Sequence, residues 1–282
     1  MMTVLAPDAV GIRIREAVDA DWEAAGRICY EAFASTADQH GFPHDFPSVE
    51  AAADPIRWLI NHPEVFGVVA VKDGRVIGSN FLDERGMISA IGPISVDPGV
   101  QDHHVGRLLM DAVLARAHAR RAPGVRLLQI AYHNRSLSLY AKLGMEVRGS
   151  FAALHGPAIR EALPGYSVRP ATIDDEYACN SLCLRVHGHA RAGEVREAMD
   201  VGSARVVERL GRITGYTTGV SYFAHSVAET NDDLRALISE AEGFGTPGFL
   251  VPLSNNDLFR WCLDRGLRVF FVLNMMTLGL YQ

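Results

Sequence analysis

The sequence predicts an α/β fold, a mixed and centrally parallel sheet flanked by helices, present in two tandem copies. Strands alternate with amphipathic helices along the first half of the chain, which is typical of this fold class. Several patterns of the first half return in the same order in the second. At 282 residues, with 48% hydrophobic and 21% charged residues, the chain is long enough to bury the cores of two medium domains.

The hydrophobic periodicity of the first half predicts its order of elements. The early strands follow one another directly and are expected to pair antiparallel, whereas the helix at 105–120 joins two strands as a crossover and predicts a parallel pair. The expected elements are a strand at 12–17, helices at 21–34 and 48–61, strands at 65–72, 75–83 and 87–96, a helix at 105–120, a strand at 125–131, a helix at 134–143 and a strand at 145–154.

Three matched segments indicate an internal duplication. They keep their order along the chain, and the middle pair is a strand, a tight turn and a strand in both places. The matched pairs are 14–21 with 168–175, 68–78 with 206–215, and 134–144 with 256–266. We therefore predict one domain at 11–156 and a second at 166–282, joined by a turn-rich link that runs from Gly156-Pro157 to Pro164-Gly165.

A strand that turns sharply into a helix is expected near residue 100. The strand ends at Val96-Asp97-Pro98, and the helix begins after the turn 101–107. The first backbone N–H groups of a helix lack partners and the dipole favours negative charge there, so such a turn can hold a phosphate. Tyr140 on the next helix would add a proton donor. Taken alone, the turn equally fits an ordinary connection, and Tyr140 alone fits a core aromatic beside Leu137 and Leu143.

The second half differs where this chemistry is expected. It carries Glu229, Asp232 and Asp233 with no glycine at the corresponding turn, and Cys262 stands at the position of Tyr140. Carboxylates repel phosphate, and no glycine permits a close backbone approach. We expect that the second half does not use the same cofactor in the same way.

These residues resemble the GCN5-related N-acetyltransferase family, whose cofactor motif is V-x-P-x-x-Q/R-x-x-G-x-G/A. The resemblance covers the first half almost completely, and the second half is similar to a degenerate copy. His104 stands where the family has its first motif glycine. The matching positions are Val96, Pro98, Gln101 and Gly106, followed by Asn134, Leu139, Tyr140, Lys142, Leu143 and Gly144.

The resemblance implies acetyl-CoA as co-substrate and assigns a role to each matching position. The pantetheine arm would bond the backbone of Ile94, Ser95 and Val96, and Asn134 would also contact the arm. Tyr140 would protonate the departing thiolate, because a phenol of pKa near 10 stays protonated at neutral pH. The pyrophosphate would be held at the turn, by Gln101, Asp102, His103, His104, Val105, Gly106 and Arg107.

The expected activity is transfer of an acetyl group to an amine, by direct attack in a ternary complex, because no cysteine falls in the predicted site. The acceptor is a small-molecule or peptide amine. Two alternatives remain open: a non-catalytic acyl-CoA-binding or sensing protein, and a scaffold with neither property. The irregular segment 35–48 is expected to border the acceptor, and Asp83, Glu84 and His133 are candidate general bases by position.

Charge and composition exclude several other classes. A net charge of −6 without a basic run argues against nucleic acid and anionic membranes. No apolar run is long enough to span a bilayer and no secretory signal is evident, so we expect a soluble, cytoplasmic monomer or homodimer. No metal is expected, because His187 and His189 are taken as a surface pair. The four cysteines are expected to be buried thiols: Cys29, Cys179, Cys183 and Cys262.

Overall fold

A computed structural model of the chain describes residues 11–100 and 104–281. The first half follows the predicted order of elements closely. Its elements are β1 (Ile12–Glu16), α1 (Trp22–His40), α2 (Val49–Asn61), β2 (Val65–Lys72), β3 (Arg75–Asp83), β4 (Ser89–Ile91), β5 (Ser95–Val96), α3 (Val105–Ala119), β6 (Gly124–Ile130), α4 (Asn134–Lys142) and β7 (Glu146–Gly156).

The second half repeats this order without a counterpart of β5, and its first three helices are shorter than those of the first half. They are β8 (Ser167–Pro170), α5 (Glu176–His187), α6 (Ala192–Asp200), β9 (Arg205–Arg209), β10 (Arg212–Thr217), β11 (Ser226–Ala228), α7 (Asn231–Ser239), β12 (Phe244–Pro252), α8 (Asn256–Asp264) and β13 (Arg268–Gly279). Within the two described ranges, no helix combines the length and the apolar character needed to cross a bilayer.

The main sheet has the order β1-β2-β3-β4-β6-β13-β7-β12, with β5 paired to β3 beside this path, and β8 to β11 form a separate sheet. The early strands pair antiparallel, and β4 pairs with β6 in parallel. The predicted fold class is therefore confirmed. In the first half, α3 and α4 pack on one face of the sheet, and α1 and α2 pack on the other around Phe81.

The expected strand 87–96 is two short strands separated by a bulge. Leu82 lies opposite Ile91, but Ser79 lies opposite Ser95, so β4 and β5 together hold one residue more than the facing part of β3. Gly92, at φ 125, occupies this bulge. Because β6 pairs with β4 but not with β5, the sheet opens between β5 and β6.

The two halves exchange their last strands. β13, the last strand of the chain, lies between β6 and β7 and pairs antiparallel with both. Reciprocally, β7 pairs with β12 of the second half. The sheet of the first half thus includes a strand from the second. The sequence limits 11–156 and 166–282 remain a prediction, because they divide the chain and not this shared sheet.

The duplication is visible in a repeated ion pair near the start of each half. Arg15 contacts Asp21 with both terminal nitrogens at 2.7 Å, and Arg169 contacts Asp175 at 2.7 and 2.8 Å. Both carboxylates also accept a backbone N–H three residues earlier in the chain. The matched residues of the two copies therefore make the same contacts.

One boundary differs from the expectation in a way that matters for the site. The helix expected at 21–34 continues to His40, so only Gly41 to Ser48 of the expected irregular segment lie outside a helix. Gly41 ends α1 in the left-handed conformation, at φ 69, which glycine adopts without steric cost. Ser48 then caps α2 by accepting a hydrogen bond from Ala51 N.

Candidate functional site

A cleft of about 2160 Å³ runs between the two halves. Its walls include β5, the start of α3 and α4 from the first half, and the loop between β10 and β11 from the second. Most of the residues assigned to the cofactor by sequence line it. These are Ile94, Ser95, Val96, His104, Val105, Gly106, Arg107 and Tyr140.

The edge of β5 that faces away from β3 is open to a ligand. Asp97 N donates to Ile77 O at 2.9 Å, and Ser95 lies opposite Ser79 in the ladder. Because backbone groups alternate in direction along a strand, those of Ile94 and Val96 face the cleft. The Ser95 side chain is buried and its Oγ lies 3.3 Å from Ser79 Oγ, so it packs against β3.

Helix α3 begins without a side-chain cap. Its N-cap residue His104 has φ 60, in the left-handed region, and makes no capping hydrogen bond with its side chain. The first intrahelical bond runs from Leu108 N to His104 O, at 3.0 Å. The N–H groups of 105–107 therefore precede the helical ladder, and His104 does not cap them, so the start of α3 has the form of an anion site.

Gly106 keeps space open beside these donors. A Cβ at this position would lie 3.5 Å from Leu139 Cδ2 and 3.9 Å from Val96 Cγ2, which is ordinary contact. The protein would accept a side chain here, but that side chain would occupy the cleft. The cleft therefore stays open at the position where, by the family motif, the cofactor would come close to the backbone.

Four further residues were assigned to the cofactor from the sequence. Gln101, Asp102 and His103 lie outside the described residues. Asn134 is the first residue of α4, and its side chain is exposed and does not line the cleft, so its role stays a prediction. Near the starts of α3 and α4, basic side chains that do line the cleft include Arg107 and Arg135, and Lys142 lies at the end of α4.

Tyr140 lies on the last turn of α4, packed in the core between the sheet and α3, and is 6% exposed. Tyr140 belongs to the hydrophobic core, as its spacing along the helix suggests, and it also lines the cleft, as the family resemblance suggests. Burial raises the pKa of the phenol further above 10, so it stays protonated at neutral pH. The side chain can therefore donate a proton but not accept one.

The corresponding turn of the second half is closed by its own side chains. Thr230 caps α7 and Asp233 reaches back to Thr230 N at 3.0 Å, which forms a capping box. Asp233 is fully buried and also accepts from Thr214 Oγ1 at 2.5 Å. The carboxylate of Glu229 is paired with Arg212. The start of α7 is thus capped by its own side chains, whereas the N-cap residue of α3, His104, provides no such cap.

The three candidate bases have different surroundings. Asp83 lines the cleft but is bound by Arg85, and Glu84 is bound by Arg116 and is not part of the cleft lining. His133 lines the cleft at the start of α4. Burial, with His40 and Arg135 nearby, lowers the pKa of His133 below 6.5, so its ring is neutral at pH 7 and can accept a proton.

One wall of the cleft includes the loop expected to border the acceptor, and we name it the acceptor wall; it is lined by Cys29, Phe33, Asp45, Phe46, Tyr132 and Tyr222. Sequence reasoning did not single out the buried carboxylate that this wall contains. Asp45, in the loop between α1 and α2, is 8% exposed, and its Oδ1 has no hydrogen-bond partner among the described residues. Burial raises the pKa of Asp45 to about 6. The hydroxyl of Tyr132 is likewise buried without a partner in the described chain. Both residues line the cleft, and the second half adds Tyr222 beside them.

A cysteine also lies in this wall, contrary to the expectation. Cys29 on α1 lines the cleft and is fully buried. Burial and the charge of Asp45 raise the pKa of its thiol to about 12, so it is protonated and a poor nucleophile at neutral pH. All four cysteines are buried and free, as predicted.

The far end of the cleft contains a satisfied polar network. Glu194 is bound by Arg191 Nε at 2.9 Å and lies 3.2 Å from His225 Nδ1, while Tyr216 bonds the other nitrogen of that ring at 3.0 Å. Burial lowers the pKa of His225 to about 4. The expected surface pair is wrong in part, because His189 is buried in this region. No cluster suited to a metal occurs in the described ranges.

Comparison with known proteins agrees with this geometry. Residues 29–145 match the acetyltransferase (GNAT) family, a range that includes most of the cleft-lining residues of the first half. No curated protein matches the chain.

Solved structures share the fold along nearly the whole chain. A Pyrococcus horikoshii protein that carries an acetyltransferase assignment superposes with a TM-score of 0.75 at 16% identity, covering 98% of this chain and 92% of that one. A GCN5-related N-acetyltransferase from Sphaerobacter thermophilus gives 0.67 at 14% identity, covering 99% and 98%. A tandem GNAT protein from the clavulanic acid biosynthesis pathway gives 0.61 at 16% identity, covering 95% and 98%.

Proposed function

Because the first half of this chain is a domain of the GNAT family of acyl-CoA-dependent acyltransferases, we propose that the protein is an acetyl-CoA-dependent N-acetyltransferase. It transfers the acetyl group to a small-molecule or peptide amine, by direct attack in a ternary complex. The first half holds the nucleotide and the second half completes the cleft.

The observation that carries the proposal is the contrast between two equivalent helix starts. At the start of α3, no described side chain caps the N–H groups beside Gly106, whereas α7 has its capping positions filled by Thr230 and Asp233. An anion gains from donors that no protein acceptor has taken. The pyrophosphate therefore binds at α3, with Arg107 beside it, and the pantetheine arm pairs with the open edge of β5.

The catalytic groups follow from what lines the cleft. Acetyl-CoA supplies the activated acyl group. Tyr140 holds a proton at neutral pH and delivers it toward the sulfur of the leaving group. His133 is neutral and is placed to receive the proton of the attacking amine. Cys29 remains a thiol, which favours direct transfer over an acetylated enzyme.

The test is a thiol-release assay with acetyl-CoA across an amine library, run on the wild type and Tyr140→Phe. We expect turnover to fall by about 10² to 10⁴ in the variant, the usual contribution of a positioned acid. Tyr177→Phe is the matched control, because Tyr177 is 85% exposed, and it should react at the wild-type rate.

Binding is measured separately, from the melting temperature with and without acetyl-CoA. Stabilisation without release from any amine would favour the alternative, a non-catalytic acyl-CoA-binding or sensing protein. Absence of any shift in the wild type would refute both functions.

A further inference from the structure

The acceptor wall contains two polar atoms that the protein itself leaves unsatisfied. Asp45 Oδ1 and the Tyr132 hydroxyl are both buried, and neither has a hydrogen-bond partner among the described residues. A buried carboxylate or hydroxyl without a partner is costly and uncommon in folded proteins. Asp45 and Tyr132 both line the cleft, so these partnerless atoms belong to its wall and indicate a place for a polar group that is not part of the chain.

The two side chains lie close to each other and to a residue of the second half. Burial raises the pKa of both Tyr132 and Tyr222, and the nearby charge of Asp45 raises both further; Tyr132 adds to the shift of Tyr222. Tyr222 is held edge-on against Phe271, with ring centroids 6.1 Å apart. The loop between β10 and β11 thus places an aromatic ring beside the carboxylate of the first half.

Aromatic side chains line the same part of the cleft as Asp45, among them Phe33, Phe46 and Tyr132. Tyr132 stacks on Phe42 with centroids 4.1 Å apart, and Phe33 packs edge-on against Phe46 at 5.9 Å. Aromatic faces attract cations, and a carboxylate removed from water does so more strongly than one at the surface. An apolar wall with one acidic group fits an organic cation better than an anion or a neutral polar molecule.

We propose that Asp45 and Tyr132, with Tyr222 from the second half, form the subsite for the positively charged group of the acceptor. The acceptor is then an organic ammonium compound with an apolar or aromatic body. This inference rests on the proposed function only in identifying the bound amine as the acyl acceptor. The binding itself needs no cofactor.

The experiment measures binding of phenethylamine and of its neutral counterpart phenethyl alcohol, by calorimetry at pH 7.5 and without acetyl-CoA. We expect the wild type to bind the amine more tightly than the alcohol. Asp45→Asn should weaken binding of the amine by about tenfold or more, because a charge-assisted contact is lost, and it should leave binding of the alcohol unchanged. Tyr132→Phe, which keeps the ring and its stack on Phe42, should weaken binding of the amine by a smaller factor.

Asp38→Asn is the matched control, because Asp38 is an exposed carboxylate paired with His44 at 2.8 Å, and it should bind like the wild type. Equal binding of the amine by the wild type and Asp45→Asn would overturn the inference, as would equal binding of amine and alcohol by the wild type.

Acetyl-CoA binding is measured on the same samples. Failure to bind acetyl-CoA would refute the proposed function without touching the result for the amine, so the two failures are distinguishable.

Discussion

Asn274 Nδ2 donates a hydrogen bond of 2.9 Å to Gln129 Oε1. The contact joins β13 to β6, and Gln129 passes it on, because its Nε2 donates to His133 O at 3.0 Å and to Ser136 Oγ at 3.1 Å. A strand of the second half therefore holds the start of α4, the helix that carries Tyr140.

Asn274→Asp should destabilise the protein although the two side chains have the same shape. The substitution places a carboxylate oxygen opposite Gln129 Oε1, and two oxygens cannot form a hydrogen bond. Either the hydrogen bond between residues 274 and 129 is lost, or Gln129 turns its amide group toward the new carboxylate and loses the hydrogen bond to His133 O. A buried group left without a partner costs about 1 to 3 kcal/mol of the free energy of unfolding, which urea denaturation measures. Ser150→Ala, which removes the hydrogen bond to Asn274 Oδ1, should cost less. An unchanged urea midpoint for Asn274→Asp would contradict the proposed linkage.

Gly106→Ala should separate cofactor binding from stability. Among the described residues, the nearest packing atom to the new methyl group is Leu139 Cδ2 at 3.5 Å, and alanine favours a helix by up to about 1 kcal/mol over glycine, so the melting temperature should be kept or rise. Acetyl-CoA affinity should fall by about tenfold or more, as measured by calorimetry. Gly245→Ala, at a position with open space, controls for the glycine change. Unchanged affinity would mean that the cofactor does not approach this backbone.

His104→Gly should bind acetyl-CoA more tightly than the wild type. The residue at 104 has φ 60, which glycine adopts freely and which costs other residues about 1 to 2 kcal/mol, so the substitution should also raise the stability of the free protein. Removal of the imidazole also clears the approach to the N–H groups of 105–107. His104→Val should be less stable, because a β-branched residue resists this conformation. Weaker binding by His104→Gly would show that the imidazole itself contacts the ligand.

Asp45 should make the stability of the empty protein depend on pH. Its pKa is about 6 when folded and 3.8 when unfolded, so as pH rises the unfolded chain loses its proton first. Stability contributed by the protonated form is therefore present below pH 4, falls between pH 4 and 6, and stays lower above. The loss is about 3 kcal/mol at most. Facing groups in this region are His44, Cys29, Tyr132 and Tyr222.

Asp45→Asn should remove this dependence, and it should therefore be more stable than the wild type at pH 7.5 and similar to it at pH 4. Urea unfolding at the two pH values measures the difference. A wild type and variant that respond equally to pH would place the titrating group elsewhere.

The fold was predictable where the sequence repeats local patterns. Segments 14–21 and 168–175 carry the same arginine and aspartate, and both copies build the same ion pair. The strand exchange was not predictable, because β7 and β13 are both apolar strands and a sheet accepts either as a neighbour. Their order is decided by how the two copies meet, which local periodicity does not contain.

The candidate site divides in the same way. Tyr140 and Gly106 follow from motif spacing, and the cleft contains both. Asp45 lies in a loop without periodicity, and only its three-dimensional surroundings make it buried and unpartnered. Tyr222 is distant in sequence from every other residue of the acceptor wall, so no pattern linked them. The left-handed conformation of His104 was hidden by a residue type that seldom adopts it.

The placement of β13 in the main sheet has a consequence for synthesis of the protein. A ribosome that has released the whole first half has still not made the neighbour that β6 and β7 require. The proposed acyl-CoA site is therefore supported by a complete sheet only after β13 has been translated, and a chain stopped before β13 leaves two exposed strand edges that invite aggregation.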